Sequence, residues 1–197
     1  KTRKLHSSRM DAFKPVNYTA IAIIDYKTKM IEFVKKEYAK RNKNQKLIIK
    51  PKMEEKVALF KISINMFPEQ FEFYKSWKGL VIEGTGLGHA PGHVPNELAK
   101  LHAKFFPALK KVIDSGCLVV MTTTCLFGRV NMNVYDKGRD LQALGIVPGE
   151  DMLPETAFVK LAWLLGNYPK EEAEQLIKKS LRGEITERTE FEKEFIS

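Results

Sequence analysis

The chain has 197 residues, 44% of them hydrophobic and 29% charged, which is enough to bury a full core and too apolar for a disordered segment. Its 33 Lys and Arg exceed 24 Asp and Glu, so the formal net charge of +9 makes a polyanion a reasonable neighbour. No apolar stretch has the length of a membrane span and no cationic-then-apolar leader opens the chain, so a cytoplasmic protein with no membrane partner is expected.

The opening KTRKLHSSRMDAFKP shows no helical or strand period and no capping chemistry, and it starts at Lys1 rather than Met. It reads as the interior of a longer polypeptide. The run YTAIAIID, from Tyr18 to Asp25, is a strand candidate whose turn at YKTK returns MIEFV as a hairpin partner. The following KKEYAKRNKNQK has no interleaved stacking aromatics of a recognisable RNA-binding kind, so a solvated basic loop is expected there. Next, VALFKI and GLVIEG read as strands, with a helix-like FPEQFEFYKSW between them. Leu98, Leu101, Phe105, Leu109 and Val112 recur at steps of three and four, the stripe of a helix packed on a sheet. Pro107 predicts a kink, or a second helix that carries it in the first turn.

CLVVMTTT is a third continuous apolar strand, and unbroken runs of this kind flanked by helices indicate an α/β fold with a parallel sheet covered on both faces. PETAFVKLAWLLG opens on Pro154, closes at Gly166 and is apolar nearly all round, so it predicts a deeply packed helix. KEEAEQLIKKSL predicts a surface helix, with Ala173, Leu176, Ile177 and Leu181 on one side and a Glu174–Lys178 pair on the other. The closing EITERTEFEKEFIS either docks through Phe191 and Phe195 or stays loose.

In VIEGTGLGHAPGHVP the glycines alternate as Gly84, Gly86 and Gly88, and Pro91 and Pro95 then hold the chain extended. A dinucleotide fingerprint needs its last glycine to open a helix, so this loop instead suggests close approach of backbone to a ligand or a neighbouring subunit. His89, His93 and His102 lack the glutamate or cysteine that would complete a zinc site, so no metal is expected. Cys117 and Cys125 read as two buried thiols. Glu150, Asp151 and Glu155 read as helix-start acids favoured by the dipole, and Thr122 to Thr124 as a strand terminus rather than a nucleophile.

Several segments together resemble one family. VIEGTGLGHAP, the long run from VVMTTTC to AWLLG, and LRGEI resemble the C-terminal domain of the L-asparaginase and amidotransferase superfamily, and KLHSSRMDAFKPVN resembles the end of its N-terminal domain. GRVNMNVYDKGRDL, GEDMLPETA and EFEKEFI are most similar to the D-subunit family of archaeal glutamyl-tRNA(Gln) amidotransferases. The basic stretch around Lys27 to Lys56 lies outside the resemblance.

That resemblance implies residues 1–17 as the end of an amidase domain, 18–55 as a connector, 56–184 as a small parallel-sheet, Rossmann- or flavodoxin-like domain, and 185–197 as a tail. It implies an amide hydrolase with a threonine nucleophile, acting on glutamine and passing ammonia to an ATP- and magnesium-using E subunit that amidates glutamate on tRNA. The tRNA is then held mainly by that partner, this chain carries no cofactor of its own, and its asparaginase-like domains form a homodimer. The family's T-G-G-T and H-G-T-D-T motifs are absent from these 197 residues, so the nucleophile is expected upstream and this stretch alone is expected to be inactive. The family's catalytic lysine, nine residues before Phe13, falls on Lys4, with Lys1 as the competitor. Gly86, Gly88, His89, Asn131 and Asn133 are the expected substrate or dimer-interface loop. A cytosolic L-asparaginase and a non-catalytic dimerisation module remain as alternatives.

Overall fold

A computed structural model describes residues 1–189, so the docking expected of Phe191 and Phe195 lies outside the described residues. The chain divides into two compact units, Lys1–Lys50 and Pro51–Ser197. Among the described residues no helix is long and apolar enough to cross a membrane.

The first unit holds two short antiparallel hairpins. β1 (Thr2–Lys4) pairs with β2 (Phe13–Pro15), and flanking bonds from the Leu5 amide to Ala12 O (2.7 Å) and from the Val16 amide to Lys1 O (2.9 Å) extend the ladder. The opening therefore does carry strands. At three residues each they are too short to display a period-two alternation, and backbone pairing defines them. β3 (Ala22–Ile24) pairs with β4 (Ile31–Phe33), the hairpin expected from YTAIAIID and MIEFV but narrower. Asp25 shapes its turn. One carboxylate oxygen accepts the amides of Lys27 and Thr28, both at 2.8 Å, and Lys29 adopts a φ of +60°.

The second unit is built on a four-stranded parallel sheet in the order β5 (Val57–Lys61), β6 (Gly79–Gly84), β7 (Leu118–Thr123), β8 (Val147–Pro148). Successive side chains of β6 and β7 enter opposite layers. Leu80, Ile82, Val119 and Met121 join Phe71, Phe105, Leu109, Val112 and Leu141 on one face. Val81, Leu118 and Val120 join Ala157, Leu161, Leu164, Ala173 and Ile177 on the other. The helices supplying these layers are α1 (Phe105–Asp114), α2 (Asp136–Ala143), α3 (Pro154–Asn167) and α4 (Lys170–Ile177). The expected α/β class with a parallel sheet covered on both faces is what the structure contains.

Pro107 occupies the first turn of α1, as one of its two predicted roles required. The segment before it, Glu97–Lys104, is 3-10 helix, and with three residues per turn it drifts out of the 3.6-residue period. Leu98 consequently faces water, while Phe105, Leu109 and Val112 stay buried. FPEQFEFY is likewise 3-10, at Pro68–Tyr74. Two elements carried no sequence signal. α2 buries only Gly138 and Leu141, too few for a stripe, and a Cβ on Gly138 would stand 2.4 Å from the Met132 carbonyl oxygen. β8 is two residues long.

Within the apolar helix α3, Lys160 is buried. Its Nζ donates to Glu184 Oε1 at 2.7 Å and to the Ile177 carbonyl, the last residue of α4, at 2.9 Å. Glu184 also accepts the amides of Leu181 and Arg182. Burial works to raise the Glu184 carboxyl, but the hydrogen bonds from Lys160 and those amides outweigh it and hold the group at about 2. Burial draws the Lys160 ammonium below its ordinary value against the pull of Glu184.

An acid with a depressed folded pKa stabilises the fold above its unfolded value and loses that contribution as pH falls through the folded one. The urea unfolding midpoint is therefore expected to drop progressively between pH 4.5 and about 2, and Glu184→Gln should flatten that part of the profile.

Candidate functional site

β6 ends at Gly84, where the chain turns back on itself. The Thr85 amide donates to His89 O at 2.9 Å, and the amides of Gly88 and His89 donate to Thr85 O at 3.0 and 2.9 Å. Gly86 and Gly88 have φ of +50° and +94°, the left-handed region that favours glycine. A Cβ on Gly84 would lie 2.6 Å from Met121 Sδ, and one on Gly88 would lie 2.6 Å from Val130 Cγ1. The glycines thus let the loop lie directly on the end of β7 and on Val130. Three of the loop's amides are used inside the turn, which leaves those three unavailable to a phosphate.

The threonines at the end of β7 secure this loop. Thr123 Oγ1 donates to Gly86 O at 2.6 Å and accepts the Cys125 amide at 3.1 Å, while Thr122 Oγ1 donates to Ile82 O at 3.0 Å. The Asn131 amide donates to Leu87 O at 2.9 Å. Asn131 and Asn133 are exposed, and their side-chain oxygens serve local groups: Asn131 Oδ1 accepts the Asn133 amide at 3.2 Å, and Asn133 Oδ1 accepts Gln142 Nε2 at 3.0 Å.

A cleft of about 680 Å³ opens at the carboxyl ends of β5 and β6, lined by Ile62, Thr85, His89, His93, Tyr135 and Asp136 among others. Carboxyl ends of strands are where open α/β sheets build their sites. Of the expected loop residues, His89 lines this cleft. Its ring meets Tyr135 edge to face at 5.4 Å, and its Nε2 is buried without a hydrogen-bond partner among the described residues. His102 also borders the cleft, its Nδ1 donating to His93 O at 2.9 Å. No cluster suited to a metal ion occurs among the described residues. Asp136 was not visible as a site residue in sequence. It opens α2, where the hydrogen bond from the Lys137 amide and the positive charges of Lys137 and Arg139 outweigh desolvation and hold its carboxyl below the ordinary value.

Lys4 belongs to the first unit. It is exposed, and its Nζ lies 5.9 Å from the ring of Phe13, its cross-strand partner. Two further expectations need correction. Glu150 and Asp151 are not helix-start acids, because α3 begins after Leu153. Asp151 is instead buried and accepts the amide of Thr186 at 3.0 Å together with its hydroxyl, while Arg129 stands 3.4 Å from Glu150 and 3.9 Å from Asp151. Cys125 is exposed, and only Cys117 is a buried thiol, pushed up to about 12 by desolvation.

Residues 56–177 match the glutaminase/asparaginase C-terminal domain. The chain is 45% identical over 190 residues to the D subunit of glutamyl-tRNA(Gln) amidotransferase from Methanococcus maripaludis strain C7, covering 95% of this chain and 43% of that protein. It is 43% identical over 195 residues to the corresponding D subunit from Pyrococcus abyssi, covering 98% of this chain and 42% of that one. Among solved structures it resembles the thermostable L-asparaginase from Thermococcus kodakarensis, with a TM-score of 0.77, 27% identity, and coverage of 94% of this chain and 53% of that one. L-asparaginase I from Vibrio cholerae gives a TM-score of 0.76 at 26% identity, with the same coverages of 94% and 53%. The chain spans less than half the length of these curated relatives. The family resemblance read from the sequence is borne out, with one correction: the matches cover 95% and 98% of the chain and so take in the basic stretch around Lys27 to Lys56 that the sequence reading sets outside it.

Thr123→Val should remove both bonds of that hydroxyl at similar side-chain volume. The expected cost is about 1–3 kcal/mol in urea unfolding, with faster amide hydrogen exchange confined to residues 84–89 and 123–125.

Proposed function

The chain belongs to the glutaminase/asparaginase C-terminal domain family, and from that membership we propose that it is part of a glutamine amide hydrolase supplying ammonia for conversion of Glu-tRNA(Gln) to Gln-tRNA(Gln). The observation that carries this reading is that likeness to proteins named as D subunits of that amidotransferase runs beyond residues 56–177 into the hairpin unit. In this reading a threonine hydroxyl from outside these residues attacks the glutamine amide carbon. The C–N bond breaks, ammonia leaves with the proton it gains, and water then cleaves the acyl ester to glutamate.

Lys4 is proposed as the base or proton relay for that threonine. An amine performs this role when shielding or neighbouring charge brings it toward neutrality. Its own hairpin leaves it exposed, so the shielding is assigned to the rest of the longer protein. The loop around Gly86, Gly88, His89, Asn131 and Asn133 is proposed to face substrate or a second protomer, with His89 its member on the cleft. Ammonia passes to the E subunit, which binds ATP and Mg²⁺ and most of the tRNA, and the reaction is placed in the cytoplasm. A second reading, an L-asparaginase with no tRNA role, is favoured by the names of the similar solved structures.

The test uses the full-length polypeptide with its amidotransferase partner. Glutamine should be hydrolysed in preference to asparagine, with a rate that responds to Glu-tRNA. Lys4→Ala should cut ammonia release by about 10²- to 10⁴-fold while leaving circular dichroism and oligomeric state unchanged. Wild-type release in that variant would remove Lys4 from the mechanism. Preference for asparagine without a tRNA response would select the second reading.

A further inference from the structure

Charge is divided unevenly along this chain. Positions 1–56 carry 16 Lys and Arg against 6 Asp and Glu, whereas positions 57–197 carry 17 against 18. The excess is densest from Lys35 to Lys52, where eight cations face a single carboxylate, Glu37. This stretch contains no helix or strand. Lys36, Lys40, Arg41, Lys43 and Lys46 are all exposed, and none has an ion-pair partner among the described residues. Several cations of the second unit, by contrast, are paired. Lys61 pairs with Glu83, Lys137 with Asp140 and Lys178 with Glu174.

The hairpin beside this stretch supplies what the linear sequence seemed to lack. Phe33 at the end of β4 and Tyr38 stack with ring centroids 5.6 Å apart and planes 15° apart, and both are exposed, at 57% and 37%. Tyr26 at the turn is exposed as well. Folding therefore sets an open aromatic stack against a run of unpaired cations within one unit. An unpaired base can extend such a stack, and crowded cations gain by displacing condensed counterions from a phosphate backbone.

We propose that residues 33–46 form an RNA contact surface, in which the five cations meet backbone phosphates and the Phe33–Tyr38 stack receives a base. The inference rests on the amidotransferase reading for one point, that the RNA is tRNA; it then adds a contact made by this chain to the one assigned to the partner. The exposed triplet Leu47, Ile48 and Ile49 would also suit a lipid surface, so lipid belongs among the outcomes of the test.

Full-length polypeptide is titrated with a fluorescent unmodified tRNA transcript across a salt series. The variant carrying Lys36→Gln, Lys40→Gln, Arg41→Gln, Lys43→Gln and Lys46→Gln is expected to bind roughly tenfold or more weakly near 100 mM salt, with the log–log salt slope reduced by about 3 to 4. Phe33→Ala with Tyr38→Ala should weaken binding and leave the slope in place. A control with Lys75→Gln, Lys100→Gln, Lys104→Gln, Lys110→Gln and Lys178→Gln should bind as the parent does, and RNA-independent ammonia release should be the same in all. An unchanged slope in the first variant, an equal loss in the control, or a loss seen with phosphatidylserine vesicles and not with tRNA overturns the proposal. If slopes change as expected while no protein, parent included, hydrolyses glutamine, the amide-hydrolase reading fails and the RNA contact stands.

Discussion

Strand β7 admits water on neither side, and the arrangement around the cleft follows from that condition. All six residues from Leu118 to Thr123 are buried, and the side chains of Leu118 to Met121 alternate between two apolar layers. A one-residue slip against β6 would exchange the layers for every one of them, so burial holds the register. Register in turn sets Thr123 opposite Gly84 at the sheet's rim. From there its hydroxyl reaches Gly86, and the glycine loop is drawn down onto Met121 and Val130. The loop's shape is thus a consequence of sheet pairing, with the glycines permitting it rather than causing it.

On the opposite face the Lys160–Glu184 pair performs a different task. A buried ammonium needs its acceptors in particular places. Lys160 finds one at the end of α4 and another on Glu184, whose carboxylate gathers the chain beyond it. Losing one partner strands a charge in an apolar layer, whereas replacing both by well-packed apolar residues can be nearly neutral. The Arg129, Asp151 and Thr186 group ties the following segment back in a similar way.

The two units divide electrostatic labour. The family-matching part is close to neutral and holds the cleft, with His89 beyond the end of β6 and Tyr135 and Asp136 at the start of α2. The hairpin unit carries nearly all the excess positive charge and a large share of the exposed apolar and aromatic surface. Two-stranded hairpins are marginal alone in water, which gives this unit a physical reason to have neighbours. The proposed roles of Lys4 and of the 33–46 surface both draw on that property.

Sequence alone determined the elements whose burial is continuous or periodic. The apolar runs of β5, β6 and β7, the start of α1 near Pro107, the helix opened by Pro154 and the surface pairing of Glu174 with Lys178 were all readable, because each depends on neighbours within a few residues. The family was readable too, since long motifs in fixed order carry information that single positions do not. What tertiary structure decided were the contacts between distant segments: Thr123 with Gly86, Asp151 with Thr186, and His89 with Tyr135. It also decided α2, which buries too little to mark itself, and Leu98, which a change of helical pitch turned outward. Local patterns record which residues prefer to avoid water, and a side chain's partner is chosen when separate stretches of backbone are brought within hydrogen-bonding or van der Waals reach.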